Sequence, residues 1–280
     1  MQFYKYFIIS LYSLILSLGP NLWANVELLE KCLKIPDHYF EANKDIVQEI
    51  KQQFENNSLL LRSLDIRKEG DLDREIKFTS AIEGNANRSA TLLVKDLPIK
   101  VYYDLGVLII IKDLSDIKGL YKGDIGSGTG TKKEVTTTSV NYLNFANLIR
   151  YYSRVKNELV PGDYLPHNEI IFTNRIKYIN GAWFKTPSEK QTEASLIIDA
   201  LRINNRLHQV TKINYPVFKY QSRTGSLNFY PISKLFLIDK LDARYKELEH
   251  DFGALEAANL WKKLIDDLNI INICDNNPQS

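Results

Sequence analysis

The chain has 280 residues, with 36 Lys and Arg against 34 Asp and Glu, a formal net charge of +2. This balance excludes a phosphate-driven nucleic-acid binder, which carries a basic stripe. The 44% hydrophobic and 11% aromatic content excludes a disordered chain, and the length suffices for a proper core.

Residues 1–24 read as a secretory signal peptide. Lys5 is the only early charge, and Phe7 to Leu18 is an apolar run of 12 residues broken only by Ser. A membrane-spanning helix needs about 20 apolar residues, whereas the centre of a signal peptide needs about 7–15. Gly19 and Pro20 end the run, and Leu22-Trp23-Ala24 offers cleavage after Ala24. No cysteine sits at the cut to take a lipid. The expectation is a secreted or periplasmic protein that meets the membrane only during export. Residues 25–280 are expected to form a single globular α+β domain, with any subdivision near 123–140.

Cys32 and Cys274 are the only cysteines, one near each end of the mature chain. In an oxidising compartment, with termini that often lie close together, they are expected to form a disulfide. Around Cys32, "NVELLEKCLKI" predicts a short amphipathic helix ending before Pro36. Phe40, Ile46, Val47, Ile50 and Phe54 predict a second helix over 39–56.

From about 73 to 139 the character changes to short β-branched and aromatic runs: "REIKFTSA", "ATLLVKD", "IKVYYDL" and "VLIIIKDL". The last is apolar at successive positions and is expected to be buried on both faces. Within this region Ser80-Ala81-Ile82-Glu83-Gly84-Asn85 resembles the inhibitory signature of the Fic family of nucleotide-transferring enzymes, with Glu83 as the inhibitory glutamate. The resemblance implies a glycine-rich phosphate loop led by a general-base histidine. Only His38-Tyr39-Phe40 begins such a loop, and Glu41-Ala42-Asn43-Lys44 continues it without glycine or arginine. Residues 78–90 are therefore read as a polar loop between strands.

"GDIGSGTGT" alternates glycines without the Lys-Ser/Thr of a Walker loop or the spacing of a dinucleotide loop, so it reads as a connector. Tyr142, Phe145, Leu148, Ile149, Tyr152 and Val155 predict a helix over about 141–157. Glu158 precedes Leu165-Pro166 at a spacing similar to that of cholera- and pertussis-like ADP-ribosyltransferases. The Ser-Thr-Ser strand which that resemblance implies is met only by "TTTS" at 136–139, too near Glu158. "GDYLPHNEIIF" gathers Asp163, Tyr164, His167, Asn168 and Glu169 on one loop before a strand. Acid, imidazole, amide and phenol together can support acid–base work or polar recognition. His167, Glu169, Asp163 and Glu158 are the candidate catalytic residues; Tyr164, Asn168 and Trp183 are the candidate binding residues.

"IIFTNRIKYINGAWF" suggests two short strands turning at Asn180-Gly181, and its aromatics could line a carbohydrate or peptide groove. Thr186, Pro187 and Glu189 predict a helix start, with Ala194, Ile197, Ile198, Leu201 and Leu207 on its core face. A hairpin is expected to turn at Thr224-Gly225. Leu237, Leu241, Tyr245, Leu248 and Phe252 mark a helix stopped by Gly253, and Leu260, Trp261, Leu264, Ile265 and Leu268 a final one. The fold class is α+β, a strand-rich first half (about 73–139) packed with a helix-rich second half.

The histidines are dispersed, so no metal site is expected. Glu247, His250 and Asp251 share a helix face but read as solvated. No cofactor signature appears. The expected function is an exported binding or interaction protein, periplasmic or secreted as an effector, with an unknown small-molecule or protein ligand. The alternative is an exported hydrolase or transferase with a polar site around residues 158–169.

Overall fold

A computed structural model describes residues 26–66, 87–121, 141–159, 167–173, 175–187 and 191–274. The chain is α+β, and its described residues form two compact units, one over Glu41–Pro231 and one made of the segments up to Phe40 and from Ile232 onward. The strand expected at 74–81, residues 78–86 of the loop expected over 78–90 and the subdivision near 123–140 fall outside the described residues, while residues 87–90 of that loop open a strand.

The larger unit is built on an eight-stranded sheet. Its strands are β2 (Leu60–Ser63), β3 (Asn87–Leu92), β4 (Leu105–Ile109), β5 (Ile117–Tyr121), β6 (Glu169–Thr173), β7 (Ile179–Lys185), β8 (Val217–Gln221) and β9 (Ser226–Phe229). They lie in the order β5-β6-β3-β2-β4-β7-β8-β9. Every pairing is antiparallel except β7 with β8, which run parallel, as a helical crossover requires. β4 is buried along its whole length, as its unbroken apolar run implies.

The helix α2 (Lys44–Glu55) starts where the Asn43 side chain accepts from Asp45 N and Ile46 N, and it ends before Asn57, whose φ is 53°. Its Ile50 and Phe54 pack with Leu61, Leu108, Trp183, Phe218 and Tyr220 on one face of the sheet. The crossover helix α4 (Glu193–Thr211) covers the opposite face. Lys219, which alternates with Phe218 along β8, pairs there with Glu193 in the first turn of α4. α3 (Tyr142–Leu159) is fixed by Arg150, which donates to Asn57 Oδ1 at 3.0 Å and to Lys95 O at 3.3 Å.

The smaller unit holds α1 (Val26–Cys32), β1 (Leu33–Lys34), α5 (Lys234–Phe252), α6 (Ala254–Asp267) and β10 (Ile271–Asn272). Ser233 caps α5, and Gly253, at φ 79°, separates α5 from α6. Tyr245 and Trp261 meet edge-to-face across these two helices. Cys32 and Cys274 are disulfide-bonded across a sequence separation of 242 residues, as expected. In the chain-entropy account a loop that long contributes on the order of 5 kcal/mol.

Several local expectations are corrected. Asn180-Gly181 is no turn, because it lies inside β7: Gly181 pairs with Leu108 of β4, and the register shift in that ladder falls at Asn180. Gly181 is small for another reason: a Cβ there would come within 2.9 Å of Pro216 O. The helix start moves from Thr186 to Thr192, whose side chain accepts from Ser195 N, while Thr186 N donates to Tyr220 O and prolongs the β7–β8 pairing. Glu189 lies outside the described residues. "IKVYYDL" becomes a strand only at Leu105; Ile99 N instead donates to the Tyr220 hydroxyl at 2.9 Å. The helix expected from residue 39 begins at Lys44, with Tyr39 in a separate single turn. Leu148 and Phe252, assigned to buried stripes, are 45% and 57% exposed.

Candidate functional site

The polar cluster foreseen around 158–169 is only partly described. Asp163 and Tyr164 fall outside the described residues, and Glu158 lies in the last turn of α3. Glu169 opens β6, half-buried, opposite Tyr121 of β5.

Asn168 is fully buried and is committed to the backbone. Its Oδ1 accepts from Leu92 N at 2.8 Å and its Nδ2 donates to Leu92 O at 3.1 Å. The β3–β6 register places Asn168 opposite Leu92, so the side-chain amide prolongs the ladder where the backbone stops pairing. Trp183 is also a packing residue. It is 0% exposed, and its indole N–H donates to Arg62 O at 3.2 Å. Tyr178, Phe184, Phe218 and Tyr220 are equally buried, so these aromatics fill the core and line no groove.

His167 is the foreseen residue with the most suggestive setting. Its Nδ1 lies 3.4 Å from Lys100 O; a carbonyl only accepts, so this contact places the imidazole proton on Nδ1. Nε2 is buried with no hydrogen-bond partner among the described residues. Tyr102 meets the ring edge-on at 4.8 Å between centroids, and Lys100 Nζ lies 5.8 Å from the Tyr102 ring centroid. Tyr102 and Tyr103 are 52% and 37% exposed. The bend at 102–104 brings the two tyrosines to the surface; the pattern "IKVYYDL", which reads as a strand, concealed this.

A second cluster had no sequence signal. β5 and β6 pair Ile117 with Phe172, and that register carries Asp116, just before β5, to Arg175, just after β6. Arg175 Nε and Nη2 donate to the two carboxylate oxygens of Asp116 at 2.7 and 3.0 Å, and the Tyr178 hydroxyl donates to Asp116 Oδ2. The Arg175 guanidinium is the main cause that holds the buried Asp116 down to about 2, helped by Tyr178 and opposed by burial. Burial, then the Asp116 hydrogen bond, push Tyr178 up to about 12. Tyr142, at the start of α3, is raised well above the ordinary phenol value by burial and by Tyr178. A carboxylate that stays ionised at neutral pH and accepts from Arg175 and Tyr178, beside phenols that stay protonated there, makes an anchor and not a general base.

Among the described residues no group of three His, Cys, Asp or Glu could hold a metal ion. His250 contacts Asp251, while Glu247 pairs with Arg244. No described helix is long and apolar enough to cross a membrane. No protein-family model matches the chain, and no curated protein matches it significantly.

Proposed function

We propose that the protein is exported and acts outside the cytoplasm as a binding or interaction protein, with its contact surface centred on His167, Tyr102 and Lys100. The observation that carries export is the Cys32–Cys274 disulfide, formed by the only two cysteines of the chain. Such bonds persist in oxidising compartments. The apolar run over 7–18, followed by a cleavage site after Ala24, supports the same reading. For the contact surface, the support is a set of exposed tyrosines beside a cation and an imidazole of fixed tautomer. Aromatic rings with polar neighbours suit sugar or peptide ligands.

The orientation of His167 also favours a second reading, an exported hydrolase or transferase. An imidazole whose Nδ1–H is held by a carbonyl presents, when neutral, a lone pair on Nε2, the arrangement a general base uses. One experiment separates the two. Wild-type protein, Tyr102→Ala, His167→Ala and Glu169→Ala are tested for binding to, and turnover of, oligosaccharide and peptide panels. The binding reading expects Tyr102→Ala to weaken capture about tenfold or more with no product formed. Product formation that falls about a hundredfold in His167→Ala establishes the enzyme instead. Undiminished capture by both the Tyr102 and His167 variants places the ligand elsewhere.

A further inference from the structure

We infer that the Cys32–Cys274 bond is a redox clasp that controls the folding of the smaller unit alone. This inference goes beyond the export reading and is independent of the ligand. The unit joins Val26–Phe40 to Ile232–Cys274, segments separated by the whole of the larger unit. The backbone ladder that joins them is short. β1 and β10 pair over Leu33↔Asn272 and Lys34↔Ile271 only, Ile273 N donates to Cys32 O at 2.8 Å, and the Tyr39 hydroxyl donates to Leu268 O at 2.7 Å. Among the described residues the first segment supplies five buried apolar side chains, Leu29, Cys32, Leu33, Ile35 and Tyr39, and the second twelve.

A core of roughly 60 residues sustains a folding constant of only about a hundred to ten thousand without a staple. With the larger unit folded, the chain that opens is Cys32–Phe40 and Ile232–Cys274, about 50 residues, and losing its closure lowers that constant by on the order of a thousandfold. The two magnitudes match, so the bond decides whether the unit is folded. The larger unit contains no cysteine and has its own sheet, whose β4 is buried along its whole length, so it stays folded in either redox state.

The chemistry balances by thiol–disulfide exchange. Closing joins two thiols into one S–S bond and passes two electrons and two protons to a disulfide donor such as oxidised glutathione, which leaves as two thiols. Opening takes two electrons and two protons from a dithiol such as dithiothreitol, which cyclises to its own disulfide. Cys274 is half-buried and Cys32 is buried, so exchange starts at the Cys274 sulfur.

The test is hydrogen–deuterium exchange on the full chain in three forms: oxidised wild type, wild type reduced by dithiothreitol, and Cys32→Ser/Cys274→Ser. The expected result is a thousandfold or greater loss of protection in α1, α5 and α6 of the reduced protein and the serine variant. β4 and β7 should keep their oxidised-state protection. Unchanged protection of α5 and α6 in the serine variant overturns the inference. So does parallel loss in β4 and β7, or a serine variant that does not fold at all, because the bond would then staple the whole molecule.

Discussion

Gly106→Ala is expected to destabilise the larger unit by about 4 kcal/mol or more, lowering its thermal midpoint by about 10 °C. A Cβ at Gly106 would lie 2.0 Å from Arg62 O and 2.9 Å from Trp183 Nε1. These are the two ends of the hydrogen bond by which the buried indole reaches across β4 to β2. Neither end can yield cheaply, since one is sheet backbone and the other belongs to a fully buried ring. The added methyl would therefore push β2 from β4 and break the Trp183 bond together. Gly253→Ala is the matched control. Its φ of 79° and ψ of 163° suit glycine almost alone, but nothing lies within 4 Å of its Cβ position, so backbone strain of about 1–3 kcal/mol and no packing loss are expected. Thermal unfolding of both variants checks this. Equal, small shifts would mean that β2, β4 and Trp183 are not packed as described.

Asp116→Ala is expected to cost about 3–4 kcal/mol. The carboxylate is buried and accepts from Arg175 and Tyr178, so its removal strands a guanidinium and a buried phenol without their acceptor. The same group gives an acid limb to the stability profile. Its folded-state value, about 2, lies below its ordinary 3.8. The unfolded chain thus binds the proton first, and the stabilisation is fully present above about pH 5 and fades as pH falls from about 4 to 2. With Arg175 open to solvent on one side, the expected amplitude is on the order of 1–2 kcal/mol. Asp116→Asn keeps the shape and flattens that limb. Urea midpoints from pH 5 to 2 that run parallel in wild type and Asp116→Asn would refute the role.

The elements legible in the sequence were those whose signal is local and redundant. β4 announced itself by five consecutive apolar residues, α6 by the Trp261, Leu264, Ile265 and Leu268 stripe, and the β8–β9 turn by Gly225, whose φ is 68°. The failures share a cause: a tertiary partner overrode a local preference. Asn180-Gly181 carries turn chemistry, yet the pairing with β4 carries the chain through it with only a bulge at Asn180. Thr186 and Pro187 look like a helix start, yet β8 claims the Thr186 N–H. β2 sits mid-sheet on only four residues, too short for periodicity to register.

At the candidate site, sequence spacing singled out His167 but not the company it keeps. Lys100 and Tyr102 reach it from a segment more than sixty positions away, a pairing that only the sheet creates. Asn168 and Trp183 are the inverse case. They are residue types that often bind ligands, and here a backbone and a core consume their polar groups. The Asp116–Arg175–Tyr178 anchor depends on the β5–β6 register and has no linear trace.

Intact mass of the protein recovered from the exporting compartment, alkylated with and without prior reduction, tests the central claim most directly. The account predicts a chain beginning at Asn25 that takes two alkylations only after reduction. A full-length chain that takes both without reductant would contradict export and the disulfide together.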